Sequence, residues 1–280
     1  MAKVLLVDTN FSSAPIYSVL QDLGHDVHVV GSNPIDALAK SANNFWNIDY
    51  SDTTALYDLI ERENFDYLVP GCTDRSYKSC AFVNRGRFPG IETPAIEDEI
   101  HNKQKFRTIA EKLNLPIPET QNINNNRLDY PVIIKPVDSY SGKGITVLRS
   151  HNQQTFDNAI ELAKKTSLTK EYIVERFIDG DLYSHNAFLK NQTAIKNFFV
   201  KENSTANSFV VDTSRVIFNP PSKMQQQIID AVEKLAQYLN LKDGLIHSQF
   251  IWDGCNIYLI DRNRRIAGDL YSQLIELSTG

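Results

Sequence analysis

Apolar residues follow two rhythms along this chain. Unbroken runs of four or five mark buried strands, and stripes spaced three and four apart mark helices. Lys3–Asp8 (KVLLVD) is such a run and predicts a strand of the parallel type. Pro15–Leu23 carries Ile16, Val19, Leu20 and Leu23 at helical spacing, and Gly24 closes it. Asp26–Gly31 predicts a second strand, Leu56–Arg62 a helix and Asp66–Gly71 a third strand. Alternation of strand and helix predicts a doubly wound open sheet. The segment after the first strand, Thr9-Asn10-Phe11-Ser12-Ser13, has no glycine fingerprint, which argues against a dinucleotide there.

The pattern changes further along. Lys103–Leu113 predicts a helix with Phe106, Ile109, Ala110 and Leu113 inward, stopped by Leu115-Pro116-Ile117-Pro118. A polar linker, Asn122–Arg127, precedes the apolar strand Tyr130–Pro136. Asp138–Gly144 is a loop, Ile145–Leu148 a returning strand and Glu171–Phe177 another strand. Leu182–Leu189 and Ala194–Val200 predict a hairpin across Asn191-Gln192, and Lys201–Ser208 reads as a mobile polar segment. Ser222 opens a helix with Gln225 as capping-box partner and Met224, Ile228, Val232, Leu235 and Leu239 as its stripe. Ser248–Ile251 joins Ile257–Ile260 through Asp253-Gly254, a hairpin signal. The expected class is therefore α/β: a Rossmann-like, doubly wound unit over residues 1–92, then an α+β unit over 93–280.

Bulk properties narrow the function. The chain has 280 residues, 42% of them hydrophobic, and a net charge of -5. No long basic run points to nucleic acid. No apolar stretch approaches the ~20 residues of a membrane span, and the N-terminus is too short of apolar residues for a signal peptide. Cys72, Cys80 and Cys255 lack metal-type spacing and cannot all pair, so free thiols in a reducing, cytoplasmic compartment are expected.

The candidate chemistry lies in short polar insertions. Asp261, Asn263 and Arg265 alternate at the end of an apolar run, so an extended strand lines them along one face. A carboxylate and amide oxygens suit Mg²⁺, and Gln249 on the neighbouring strand reaches the same ion; a charged, solvated edge strand is the alternative. Lys103 begins a helix against the dipole, which suggests a phosphate partner or a solvated surface lysine. Lys135 closes an apolar strand, which suggests an anion nearby or a snorkelling lysine. The loop Ser139-Tyr140-Ser141-Gly142-Lys143-Gly144 allows backbone N–H groups to approach phosphate, or makes an ordinary glycine hairpin. Glu175 in Val174-Glu175-Arg176-Phe177-Ile178 offers a carboxylate to an adenine amino group, or an outward Glu-Arg pair. Thr73-Asp74-Arg75, after the third strand, is a ligand contact or a helix N-cap.

The order of these elements, above all PVIIKP followed by SGKG and IDRNRR followed by AGD, resembles the ATP-grasp superfamily. The closest pattern is the branch of carbamoyl-phosphate synthase large subunits, biotin carboxylases and carboxylate–amine ligases. The resemblance runs from Lys3 to Gly280. It implies a pre-ATP-grasp domain over 1–92 and an ATP-grasp domain over 93–280, with lobes 93–170 and 171–280. It implies that Lys103 and Lys135 hold phosphates and that Ser141, Gly142, Lys143 and Gly144 close on the γ-phosphate. It implies that Glu175, Arg176, Phe177 and Ile178 hold adenine, and that Gln249, Asp261 and Asn263 ligate Mg²⁺ (or Mn²⁺). Arg265 would steady an acyl phosphate, with Arg264 beside it as a second anion contact. Aspartate stands at 261 where the family has glutamate. Leu182 stands where the family has a ribose-binding acid, leaving Asp181 or Asp179 to replace it. Many relatives continue beyond Leu277-Ser278-Thr279-Gly280.

The resemblance implies an ATP-dependent ligase joining a small-molecule carboxylate to an amine or ammonia and releasing ADP and phosphate. A catalytically degenerate nucleotide-binding protein, and one half of a split carbamoyl-phosphate synthase, are the alternatives. A homodimer or a partner subunit is left open.

Overall fold

The computed structural model of the protein describes residues 1–123, 128–139, 142–268 and 270–279. The N-terminal part alternates β1 (Lys3–Val7), α1 (Ala14–Asp22), β2 (Asp26–Gly31), α2 (Ala37–Ser41), β3 (Asn44–Asn47), α3 (Thr53–Glu63), β4 (Tyr67–Pro70) and α4 (Asp74–Asn84). These strands form a parallel sheet in the order β3-β2-β1-β4. Successive side chains of β1 enter opposite cores, as the pleat requires. Leu6 joins Val29, Tyr17 and Leu38 on the α1–α2 side, while Leu5 and Val7 join Leu56, Leu59 and Ile60 on the α3–α4 side. Burial on both faces explains why β1 reads as an unbroken apolar run and β2 as one broken only by His28. The short elements α2 and β3 lack such runs and were not legible in the pattern.

Two helices follow, α5 (Pro94–His101) and α6 (Lys103–Lys112). A three-stranded sheet, β6-β5-β7, comprises β5 (Val132–Pro136), β6 (Thr146–Leu148) and β7 (Tyr172–Arg176), with α7 (Gln153–Thr166) packed on it. A five-stranded antiparallel sheet has the order β10-β9-β8-β11-β12. Its strands are β8 (Asp181–Lys190), β9 (Thr193–Asn203), β10 (Thr213–Ile217), β11 (Gly244–Trp252) and β12 (Ile257–Asn263). The helix α8 (Ser222–Leu239) lays Met224, Ile228, Val232, Leu235 and Leu239 on this sheet, and Phe106, Ile109 and Ala110 of α6 enter the same core. A last helix, α9, spans Tyr271–Thr279.

Two expectations are corrected. No capping box forms at α8: the N-cap is Pro221, and Gln225 instead donates to the Pro220 carbonyl at 2.8 Å. The segment beginning at Lys201 is not all mobile, because Lys201–Asn203 belong to β9 and pair with β10. Its alternating polar residues obscured a strand with one polar face.

Candidate active site: a cleft between three sheets

One cleft of about 1200 Å³ lies where the three sheets converge. Its first wall is built at the C-terminal ends of the parallel strands, by Asp8, Thr73, Asp74 and Arg75. Thr73 performs both roles read in the sequence: it lines the cleft, and its hydroxyl caps α4 by accepting from the Ser76 N–H. Asp8 sits beyond the end of β1 at φ 137°. The close approach of Asp8 to Gly71 requires glycine there, since a Cβ at 71 would stand 2.4 Å from the Asp8 Cβ.

Lys103 and Lys135 line the second wall. Lys103 opens α6, and its Nζ donates to the Ser139 carbonyl at 3.0 Å, tying the helix to the glycine loop. Lys135 on β5 and Glu175 on β7 are diagonal neighbours across the sheet, because Ile133 pairs with Glu175 and Lys135 with Ile173. One Glu175 carboxylate oxygen takes Lys135 Nζ and the other takes the Nε–H of Arg107 from α6. All three groups are buried. Burial opposes ionisation of Glu175, yet Lys135 and Arg107 outweigh it and hold its carboxyl down at about 2. For Lys135 burial wins over the attraction of Glu175, with Arg107 repelling as well, and its ammonium falls to about 8. The two directions differ, but both groups are charged at neutral pH.

Gly142, Arg176, Phe177, Ile178 and Asp181 also line the cleft. Asp181 pairs with Lys201 at 2.7 Å. Gly142 and Gly144 both adopt positive φ, 67° and 77°. Gly144 and Lys143 do not line the cleft, and Ser141 lies outside the described residues, as do Asn124–Arg127 of the expected linker.

The third wall is the β11–β12 pair. Gln249 stands directly opposite Asp261, and His247 opposite Asn263. A bulge makes this possible. The register shifts after Gln249, so that Phe250 faces Leu259 and Ile260 has no partner. Ile257 and Leu259 point into the core; strict alternation would send Asp261 after them. The extra residue reverses the phase, placing Asp261 and Asn263 on the cleft and turning Arg262 inward. Burial raises the Asp261 carboxyl, but the positive charges of Lys103, Arg262, His101 and Arg265 prevail and lower it. Arg265 lies past the end of β12, lines the cleft and pairs with Asp74. Gln249 donates to Glu202 at 2.7 Å, which brings a second carboxylate to this wall. Arg264 is corrected: it faces away, 3.2 Å from Glu92 and 2.6 Å from the Lys242 carbonyl, and does not line the cleft.

Three residues escaped sequence reasoning. Arg107 stands one turn after Lys103 on the same helix, but that spacing carries no sign of Glu175, its partner across the structure. Glu202 lies in the polar stretch after Val200, where its sequence neighbours give no sign of a strand. Arg262 is buried because of the bulge, with its guanidinium 3.1 Å from the Phe106 ring centroid and, among the described residues, no hydrogen-bond partner on its three nitrogens. Burial, and then Arg107, depress its basicity. Cys72 lines the cleft as a neutral thiol, pushed by burial up to about 11.

A parallel sheet followed by two antiparallel ones, with paired lysines facing a strand of oxygen donors, defines the architecture of the ATP-grasp enzymes. A family model described as an ATP-grasp domain matches residues 128–273, and the chain belongs to this family. It is similar to formate-dependent phosphoribosylglycinamide formyltransferase of Histophilus somni, 28% identical over 190 residues, covering 64% of this chain and 48% of the relative. It is similar also to the carbamoyl phosphate synthase large chain of Clostridium perfringens, 21% identical over 282 residues, covering 92% and 25%. The chain thus spans about half the length, or less, of these curated relatives. Among solved structures, N5-carboxyaminoimidazole synthetase from Staphylococcus aureus complexed with ADP has a TM-score of 0.77 at 15% identity, covering 98% of this chain and 73% of that one.

Among the described residues, no helix is long and apolar enough to cross a membrane.

Proposed function

We propose that the chain is an ATP-dependent carboxylate–amine ligase working through an acyl phosphate. The observation that carries this is one cleft with two lysines on one wall and the Gln249–Asp261–Asn263 row on another. Lys135 and Lys103 hold the triphosphate, and Gly142 brings the loop's backbone over it. Backbone groups of Arg176–Ile178 and the rings nearby receive the base. Arg265, fixed by Asp74, faces the anion that develops on the acceptor side.

The donor set fits a hard cation: one ionised carboxylate and two amide side chains, all with oxygen to offer, on adjacent strands. Asp261, Asn263 and Gln249 would hold Mg²⁺ (or Mn²⁺), which offsets phosphate charge when bound. The shorter aspartate stands beside the bulge that turns its side chain to the cleft. The substrate carboxylate attacks the γ-phosphorus, ADP leaves, and an amine or ammonia then displaces phosphate from the acyl carbon. The chain's part is positioning, fixed charge and exclusion of water; no protein nucleophile is used.

We also propose the division into residues 1–92 and 93–280, with lobes 93–170 and 171–280, and a cytoplasmic location consistent with three free thiols. The test is acceptor-dependent ADP release with hydroxylamine trapping of the acyl phosphate. Asp261→Asn is expected to reduce release at least about 100-fold, the scale of one lost transition-state contact, with melting unchanged. Near-normal turnover in that variant removes the metal assignment. Nucleotide binding without hydroxamate from any carboxylate supports a catalytically degenerate binding protein instead.

A further inference from the structure

We infer that Arg107 is a positioning residue of the nucleotide site: by drawing on Glu175, it leaves Lys135 with uncancelled positive charge facing the cleft. This rests on the cleft being a nucleotide site. Arg107 is 1% exposed and does not line the cleft, so it acts through Glu175 rather than on a ligand. Glu175 and Lys135 do line it. Alone, those two make a neutral pair, and Lys135 would offer a triphosphate little net charge. With Arg107 the buried group has two cations and one anion, and Glu175 divides its two oxygens between them.

Stability gives no reason for an arginine here. Nη1 and Nη2 of Arg107 are buried with no hydrogen-bond partner among the described residues. Orphaned donors of this kind cost free energy, and an apolar replacement of a buried ion pair is often neutral or stabilising. Arg262, which stacks on the same Phe106 ring, repels it. A guanidinium kept at such a position, one helical turn from Lys103, is explained by the charge it sends into the site.

The test measures dissociation constants for ATP and for adenosine by calorimetry on the full chain, without acceptor. The dissociation constant for adenosine divided by that for ATP isolates the phosphate contribution. Arg107→Gln is expected to weaken ATP roughly ten- to a hundredfold, the worth of one hydrogen bond to a charged group, and to leave adenosine unchanged. Arg107→Lys retains most of the ratio. Arg107→Gln combined with Glu175→Gln restores it to within about threefold, because Lys135 is then again uncancelled. Glu175→Gln alone raises the ratio, which keeps the inference open to refutation even where Arg107→Gln does not fold. A parallel loss of ATP and adenosine binding in Arg107→Gln would show a structural role only and overturn the inference. So would a double variant as weak as Arg107→Gln, or a lowered ratio in Glu175→Gln. A wild-type chain that binds neither ligand would overturn the ligase reading itself, and this inference with it.

Discussion

Gly142→Ala tests whether the glycine loop works by docking against the segment between β9 and β10. Gly142 holds φ +67°, and a Cβ there would stand 2.6 Å from the Cβ of Phe209 and 2.8 Å from its carbonyl oxygen. Left-handed backbone costs an ordinary residue roughly 1–2 kcal/mol. Forcing a methyl into a filled space costs about 1–3 kcal/mol more. Together they weigh about 2–5 kcal/mol against the docked arrangement, and each 1.4 kcal/mol is about a factor of ten in population. The loop is half-exposed and contributes little to the cores, so the penalty falls on docking rather than on folding. The expected result is kcat/KM for ATP reduced at least about tenfold, with Tm little changed. Amide exchange at Phe209–Val211 should accelerate in parallel. Adding Phe209→Gly removes the Cβ contact but leaves the carbonyl contact, and should recover only part of the loss. Unaltered kcat/KM together with unaltered exchange protection would refute the docking argument.

Three further outcomes follow from buried charges. Lys135 must be protonated to attract phosphate, and its ammonium is held near about 8, so ATP affinity should fall as pH rises through that value; calorimetry showing constant affinity from pH 7 to 9.5 would contradict this. His185 is fully buried, and burial depresses its imidazole from 6.5 to about 4. The unfolded chain then binds more protons than the native one between those values, so stability declines as pH falls through the window. From pH 7 to pH 5 its share of the loss is about 2 kcal/mol, measurable by urea unfolding as a shallower slope in His185→Gln; His247, which burial likewise lowers to about 4, keeps a share of its own in that variant. Arg264 and Glu92 form a buried pair, 7% and 3% exposed, between the chain before α5 and the end of β12. Arg264→Ala should cost about 3–5 kcal/mol of stability while leaving the dissociation constant for ATP unaltered; a selective loss of ATP affinity would return Arg264 to the site.

Much of the architecture could be read from periodicity because the relevant strands and helices bury one face or two. The runs at β1 and β2 are buried on both faces, and the stripe of α8 packs on one sheet. The chemistry was legible wherever a polar residue interrupts such a run, as Lys135 and Asp261 do. What escaped were residues whose place depends on another element. Glu202 looks like any other acid in a polar stretch until β9 carries it to Gln249. Arg264 and Arg265 are neighbours in sequence with the same chemistry, yet one braces Glu92 and the other faces the cleft.

The sequence by itself determined that strands and helices alternate first and antiparallel strands follow, and that lysines, a glycine loop and an oxygen-donor row occur in one order. Only the tertiary structure decided that Asp261 reaches the cleft. Strict two-residue alternation from Ile257 and Leu259 would have buried it, and the unpaired Ile260 reverses that phase. It also decided that Glu175 is held between Lys135 and Arg107. Ion pairing acts through space between α6, β5 and β7, and no spacing along the chain records it.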